Sequence, residues 1–256
     1  MSLSQALGIE VNEIVTVVGA GGKSSILMSL GREWIENRRP FLLTTTTKMF
    51  YEQVEGLAPV FCQSYKRAIP KLLQNLESKD YTSWFRGWYG TKVLGVEPGW
   101  IDQFYTEHRD SVANIIVEGD GAGRRLLKVP GPEEPVVPGL CHRLVGVLNL
   151  QAVGKELAPG IIHRFESAVP ILGRKEGAIL PRDLAALALH PGGIFKNHSA
   201  KKVLVLSGLD GEKTGMAAEL AEGIVNSNGT IQTCVVTSGF NDRMEPVLIF
   251  KKKGVV

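Results

Sequence analysis

The chain has few cysteines, few aromatic residues and little excess of one charge over the other. Its three cysteines, Cys62, Cys141 and Cys234, have no metal-ligand spacing and cannot all pair with one another, which favours a reducing compartment. No apolar run approaches the ~20 residues that cross a bilayer. The first residues also lack the basic-then-apolar pattern of a signal peptide. We therefore expect a cytoplasmic protein without a membrane span.

The charge balance argues against a polyanionic partner. The chain has 29 basic and 26 acidic residues, for a formal net charge of +3. So small an excess gives no reason to expect nucleic acid or an anionic membrane as the main partner. With 256 residues, 44% of them hydrophobic, the chain is long enough to bury the core of a large α/β domain.

Short apolar runs rich in β-branched residues alternate with helical patterns along the chain. A helix is predicted over 23–37, and strands are predicted at 14–18, 41–44, 115–118, 144–148, 203–206 and 233–236. Nearly continuous apolar strands are typical of parallel sheets that are covered on both faces. The sequence therefore predicts a mostly parallel, doubly wound sheet in a three-layer α/β architecture like that of P-loop NTPases.

We expect a single domain over residues 1–256, with two irregular segments. The four prolines of segment 130–139 exclude helix or central strand there. A domain linker is one interpretation of that segment, and a long ordered loop over the sheet edge is the one we favour. Segment 58–100 holds Trp84, Trp88 and Trp100 and is predicted as an insertion beside the core.

A glycine-rich loop separates the first predicted strand from the first helix: Gly19-Ala20-Gly21-Gly22-Lys23-Ser24-Ser25. Backbone N–H groups in such a turn, at the positive end of a helix, form a cradle for anions. Lys23 would reach the β- and γ-phosphates of a nucleotide, and the Ser24 hydroxyl would ligate Mg²⁺. The strict spacing G-x-x-x-x-G-K-[ST] is not met, because Val17 stands where its first glycine belongs.

Two other interpretations of this loop remain open. The dinucleotide fingerprint G-x-G-x-x-G aligns Gly19 and Gly21 but finds Ser24 in place of the third glycine. It also expects an acidic residue about 20 positions further on, where the second strand instead ends in the threonines of 44–47. A tight turn without a ligand is the second alternative. A lysine that opens the helix favours a triphosphate over a dinucleotide.

Polar residues at the ends of two other predicted strands would complete the site. Glu118 is the last residue of the predicted strand at 115–118, and Asp120 follows it two residues later, so both side chains can point the same way. Carboxylates at the end of a buried strand hold Mg²⁺ or polarise water in P-loop enzymes. Alone, such residues are as often ordinary turn residues. Thr45, Thr46 and Thr47 follow the second strand, at the edge where open α/β sheets bind ligands, although strand propensity also explains them. Three basic residues after the acidic strand offer charge to phosphate oxygens: Arg124, Arg125 and Lys128.

Six motifs in order resemble the YqeC-type selenium-dependent hydroxylase accessory proteins: VGAGGKSS (18–25), TTTTKM (44–49), VEGDGA (117–122), LKVP (127–130), EPVVP (134–138) and IHR (162–164). The resemblance implies a nucleotide-binding, P-loop-like fold. It also implies a part in the maturation of molybdenum hydroxylases that need selenium. Through the IHR motif, His163 and Arg164 become candidate ligand-binding residues.

The combined expectation is a protein that binds a nucleoside triphosphate with Mg²⁺ and hydrolyses it slowly or transfers its phosphoryl group. Lys23, Glu118 and Asp120 are the candidate catalytic residues, and Ser24, Glu118 and Asp120 the candidate Mg²⁺ ligands. ATP is favoured over GTP, because only Asp210 of an Asn-Lys-x-Asp pattern is present. The expected partner is a molybdenum hydroxylase or another accessory factor.

Two other function classes remain open. In the first, the protein is a non-catalytic scaffold for a cofactor or client that uses the nucleotide as a switch. In the second, it is an oxidoreductase of the Rossmann type. Mg²⁺-dependent phosphate release separates the enzyme from the scaffold, and binding of NAD in preference to ATP would indicate the oxidoreductase.

Overall fold

The computed structural model describes residues 1–196, 198–227, 229–239 and 243–252. The helices are α1 (Leu3–Ala6), α2 (Lys23–Glu36), α3 (Tyr65–Lys79), α4 (Pro98–His108), α5 (Phe165–Leu172), α6 (Pro181–Leu189) and α7 (Thr214–Asn226). The strands are β1 (Glu13–Gly19), β2 (Phe41–Thr45), β3 (Lys48–Phe50), β4 (Pro59–Phe61), β5 (Tyr81–Phe85), β6 (Gly87–Tyr89), β7 (Lys92–Leu94), β8 (Asn114–Glu118), β9 (Leu127–Lys128), β10 (Arg143–Asn149), β11 (Ile162–His163), β12 (Lys201–Leu209), β13 (Ile231–Ser238) and β14 (Glu245–Lys251).

A nine-stranded sheet in the order β14-β13-β12-β10-β1-β8-β2-β5-β4 forms the centre of the molecule. All neighbouring strands run parallel except β14, which pairs antiparallel with β13 at one edge. β1 lies between β10 and β8, with Val17 opposite both Val145 and Glu118. The carboxyl ends of these three strands therefore meet at one edge of the sheet.

Alternate side chains of the central strands pack against helices on opposite faces of the sheet. On one face, Val15 and Val17 of β1 pack with Leu27 and Leu30 of α2. On the other face, Ile14 packs in a cluster with residues of α3 and α4, while a second cluster joins β10 and β12 to α5, α6 and α7. This confirms the predicted three-layer, mostly parallel, doubly wound α/β fold.

All six predicted strands and the predicted helix are present, each within a few residues of its expected bounds. Segment 58–100 differs from the expectation, because its strands β4 and β5 belong to the main sheet instead of lying beside it. The rest of that segment includes β6 and β7, which form a small antiparallel sheet with β3.

The proline-rich segment 130–139 is a loop across the carboxyl end of β8, as the favoured interpretation predicts. The backbone N–H of Val136 donates to the Gly119 carbonyl oxygen (2.9 Å), and the Thr46 hydroxyl donates to the Val136 carbonyl oxygen (2.6 Å). The Glu134–Pro135 peptide bond in this loop is cis. These contacts attach the loop to the edge of the sheet where β1, β8 and β10 end.

The three cysteines are free thiols in the structure. Burial raises the pKa of the Cys141 thiol to about 11.

In the part of the chain that the structure describes, every helix is too short or too polar to span a bilayer.

Candidate functional site

The loop between β1 and α2 depends on glycine at two positions. Gly19 and Gly21 have φ angles of 94° and 74°, in the left-handed region that favours glycine. A Cβ atom at Gly19 would lie 2.3 Å from the Val147 carbonyl oxygen, and one at Gly21 would lie 2.5 Å from the Asn149 Cβ. The loop is therefore packed directly against the end of β10, and no larger residue fits at either position.

Two polar side chains at the ends of neighbouring strands fix the conformation of this loop. The Ser207 hydroxyl and the Asn149 amide both donate to the Gly21 carbonyl oxygen, at 2.7 Å and 2.6 Å. Both side chains are buried. Neither was predicted as a site residue. The available signal was their position, since each is a polar residue at the carboxyl end of an apolar strand.

The backbone N–H groups of the loop are available to a ligand. The first N–H groups of a helix have no intrahelical partner. Among the described residues, no acceptor is found for the N–H groups of Gly21 to Ser25. The carbonyl of Gly21 points into the protein, to Ser207 and Asn149. This arrangement, at the positive end of α2, is that of an anion cradle.

Lys23, the first residue of α2, lies inside the site and is only 5% exposed. Its Nζ donates to the Gly19 carbonyl oxygen (2.8 Å) and lies 3.1 Å from Asp120 Oδ1 and 3.7 Å from Glu118 Oε1. Burial alone would lower the pKa of Lys23, but the two carboxylates outweigh burial and raise this pKa above its usual value. Lys23 is therefore held as a cation beneath the loop.

Asp120 lies between two buried lysines and accepts a backbone hydrogen bond through one of its carboxylate oxygens. Its Oδ2 accepts from the Gly19 backbone N–H (3.1 Å) and forms an ion pair with Lys128 Nζ (3.0 Å), while Oδ1 faces Lys23. The side chain is 1% exposed. Asp120 thus joins the two lysines and the end of β1. Its Oδ1 lies in ion-pair range of Lys23 but makes no hydrogen bond among the described residues.

The charge network continues from Asp120 to the surface through Lys128, Glu134 and Arg164. Lys128 has no exposed surface, and its Nζ lies 2.7 Å from Glu134 Oε2. Arg164 pairs with Glu134 Oε1 at 3.2 Å. Burial opposes ionisation of Glu134, but hydrogen bonds from Lys128 and Arg164 prevail and lower its pKa to about 2. Lys128, expected to neutralise phosphate oxygens, is instead buried in this network.

His163 lies next to Lys128, because β11 pairs with β9. Burial lowers the pKa of His163, and the positive charges of Lys128 and Arg164 act in the same direction. The structure therefore places His163 and Arg164, two candidate ligand-binding residues, at the outer end of the buried charge network.

Glu118, at the end of β8, also has a carboxylate oxygen that makes no hydrogen bond, and this oxygen is not the one paired with Lys23. Its Oε2 is buried and has no hydrogen-bond partner among the described residues. Burial raises the pKa of Glu118 to about 7, since it outweighs the opposing effect of Lys23. An unpartnered carboxylate oxygen with such a pKa is suited to hold a proton or to face a cation.

The three candidate threonines make hydrogen bonds within the protein. Thr45 donates its hydroxyl to the Glu118 carbonyl oxygen (2.9 Å) and accepts from the Thr47 backbone N–H (3.1 Å). Thr46 donates to the loop at Val136. These contacts tie the end of β2 to Glu118 and to the proline-rich loop.

A cavity of about 540 Å³ opens in front of the glycine loop. The predicted site residues that line it are Gly21, Gly22, Lys23, Ser24, Ser25 and Glu118, and the other lining residues are Lys48, Met49, Phe50, Gln53, Lys92, Gly121, Ala122, Gly123, Arg124, Arg125 and Leu126. The remaining candidates, Gly19, Ala20, Asp120, the three threonines, His163 and Arg164, are outside this lining. Asp210 caps a 3₁₀ turn by accepting from the Lys213 N–H (3.1 Å).

The residues present fit a magnesium ion that is held mainly by a ligand. No group of three or more His, Cys, Asp or Glu side chains with metal-binding geometry occurs among the described residues. Mg²⁺ does not need such a cage, because it keeps several waters and binds through one or two protein groups plus substrate phosphates. Ser24 and Glu118 line the same cavity and can supply those groups. Ser24 Oγ accepts from the Gln53 side-chain amide (2.9 Å), whereas Glu118 Oε2 has no hydrogen-bond partner among the described residues.

Comparisons with known proteins assign the chain to a family. A structural comparison aligns the chain with chloroplast FtsY from Physcomitrella patens, with a TM-score of 0.44 and 12% identity; the alignment covers 92% of this chain and 62% of that one. The uncharacterized protein YqeC of Escherichia coli (strain K12) is 32% identical over 188 residues, which are 72% of this chain and 70% of that protein. A sequence model of the YqeC protein family matches residues 15–166, which include the glycine loop, Glu118 and Arg164. The chain therefore belongs to the YqeC family.

Proposed function

We propose that this protein binds a nucleoside triphosphate with Mg²⁺ and hydrolyses it slowly, or transfers its phosphoryl group, as an accessory factor in the maturation of a selenium-dependent molybdenum hydroxylase. The observation that carries the nucleotide part is the row of backbone N–H groups at Gly21–Ser25, which have no acceptor among the described residues and belong to residues that line a cavity beside a buried lysine. The maturation role rests on the resemblance of the six sequence motifs.

Each residue of the site has a defined task in this proposal. The loop N–H groups bind phosphate oxygens, and Lys23 supplies positive charge as negative charge develops on the transferred group. Ser24 and Glu118 hold Mg²⁺, which when bound neutralises phosphate charge. As a Mg²⁺ ligand, Glu118 also orients the water that attacks the phosphoryl group.

Asp120 has a positioning task. Its carboxylate holds Lys23 and the N–H of Gly19 in place and is itself held by Lys128. We therefore assign the metal-facing role to Glu118 and the positioning role to Asp120, although both were candidates for the Mg²⁺ shell. ATP is preferred over GTP as the nucleotide.

A non-catalytic scaffold that uses nucleotide as a switch is the second candidate. It is favoured by the contacts that Lys23 makes with Gly19, Asp120 and Glu118 within the protein. A lysine that exchanges these partners for phosphate would change the buried charge network that extends to Arg164. Nucleotide binding would then alter a surface region without any bond being cleaved.

Phosphate release from ATP separates the two candidates. We expect slow, Mg²⁺-dependent release by the purified chain, with kcat/KM rising as the pH increases through about 7, because Glu118 must lose its proton to act. In Glu118→Gln the rate falls and this pH dependence disappears, since the amide cannot ionise. Measurement from pH 5.5 to 8.5 with and without EDTA tests both statements.

Lysate fractions from cells that express a molybdenum hydroxylase provide the second arm of this experiment. A partner that completes the site accelerates such reactions by ~10³–10⁵, so we expect a stimulating fraction. Fast turnover by the isolated chain would contradict partner activation. Tight nucleotide binding without turnover under any condition would favour the scaffold.

A further inference from the structure

We propose that the cavity has a second anion subsite for a phosphomonoester, bound beside the nucleotide on a basic wall formed by Lys48, Lys92 and Arg124. This inference rests on the proposed function for the glycine loop. It concerns the opposite side of the same cavity, which comes from β3, β7 and the segment after β8.

The cavity concentrates positive charge far beyond the average of the chain. Its lining contains five basic side chains, Lys23, Lys48, Lys92, Arg124 and Arg125, and one carboxylate, Glu118. The whole chain has nearly equal numbers of basic and acidic residues, 29 and 26. The surplus at this cavity is therefore a local feature that attracts anionic ligands.

The small sheet orients part of this charge. Phe50 of β3 is paired with Lys92 of β7, so both side chains lie on the same face, and Lys48 shares that face because it is two residues from Phe50. Lys92 Nζ and Arg124 Cζ lie 4.7 Å and 4.4 Å from the centre of the Phe50 ring. Cation–π contacts of this kind hold the cations at the wall without neutralising them.

Carboxylates neutralise little of the basic wall. Among the described residues, Lys48 and Lys92 form no ion pair, and Lys48 Nζ instead lies 4.3 Å from the centre of the Tyr89 ring. In the described part of the chain, the one ion pair of Arg124 is with the exposed Glu52, at 3.5 Å. Such an exposed pair contributes little energy and exchanges readily for a better anion.

A single Mg²⁺-bound triphosphate does not require so many cations. The loop N–H groups, Lys23 and Mg²⁺ already compensate its phosphate oxygens. Lys48 and Lys92 of the basic wall belong to the small sheet and Arg124 follows β8, whereas the glycine loop lies between β1 and α2. A second phosphate-bearing molecule is the ligand chemistry that accounts for the additional positive charge.

The test measures binding of phenyl phosphate to the full chain saturated with Mg²⁺ and the non-hydrolysable analogue AMPPNP, by titration calorimetry. We expect one phenyl phosphate per chain, with phenol as the uncharged control. Lys48→Met/Lys92→Met should weaken this binding at least tenfold and change AMPPNP affinity less than threefold. The control Lys66→Met/Lys71→Met, at exposed lysines of α3, should change neither.

Three results would overturn the subsite. These are displacement of AMPPNP by phenyl phosphate, equal loss of both ligands in Lys48→Met/Lys92→Met, and absence of phenyl phosphate binding in the wild type. Failure of the proposed function gives a different pattern. In that case AMPPNP does not bind, whereas phenyl phosphate binding still depends on Lys48 and Lys92.

Discussion

Asp120→Asn is expected to lower the free energy of unfolding by about 3–5 kcal/mol, as removal of one partner from a buried ion pair does. Asp120 is 1% exposed and pairs with both Lys23 and Lys128, which are themselves buried. The amide keeps the shape of the side chain but leaves the positive charge of two lysines undercompensated. Urea denaturation at pH 7 measures the change.

Asp210→Asn is the matched control for this substitution. Asp210 is partly exposed, and its amide can still cap the turn by accepting from Lys213. Its substitution should change stability by less than about 0.5 kcal/mol. The double variant Asp120→Asn/Lys128→Met should lose less than the sum of the two single variants, because the residues interact directly. An Asp120→Asn protein within 1 kcal/mol of wild type would contradict the buried network.

Lys23→Met is expected to cost about 2–5 kcal/mol of triphosphate affinity, the usual loss when a buried charge contact is truncated. This corresponds to a dissociation constant increased ~30-fold or more. Methionine keeps most of the volume of the side chain, and Asp120 retains Lys128 as a partner. Calorimetric titration with AMPPNP and Mg²⁺ measures the affinity, and circular dichroism checks the fold.

The control for Lys23→Met is Lys66→Met, which removes a positive charge from the exposed side of α3. We expect its affinity to match that of wild type. If Lys23→Met bound AMPPNP as tightly as wild type and remained folded, Lys23 would have only a structural role with Asp120 and Glu118.

The glycine loop and its two flanking elements were predictable because their signals are local. Val15 and Val17 belong to a continuous apolar run, the glycines follow at once, and the apolar residues of α2 recur at helical spacing. The position of Glu118 beside this loop was also predictable, since the carboxyl ends of neighbouring parallel strands meet at one edge.

The ion network was not predictable, because its members come from separate segments of the chain. Asp120, Lys128 and Glu134 follow β8, but only the path of the loop through Gly131 and the pairing of β9 with β11 turn them towards one another. A lysine is usually expected at the surface, but Lys128 is fully buried in the fold. The sequence suggested a phosphate contact for it, and the fold assigns it to Asp120.

Strand β5 was missed because its buried residues do not form an apolar run. Thr82 and Ser83 are fully buried between Tyr81 and Trp84. The Thr82 hydroxyl accepts a hydrogen bond from the Asn75 side-chain amide (3.0 Å) and donates one to the Ala58 carbonyl oxygen (3.0 Å). A polar residue that is buried with its hydrogen bonds satisfied costs little, but no periodicity in the sequence reveals it.

Amide hydrogen exchange of the glycine loop tests the central claim most directly. The full chain is compared with and without saturating AMPPNP and Mg²⁺, and exchange is followed residue by residue at 19–25. If phosphates bind the free N–H groups, exchange slows at Gly21 to Ser25 by far more than at the opposite end of the sheet. Nucleotide binding with unchanged exchange at these residues, or protection by NAD in place of AMPPNP, would contradict the account.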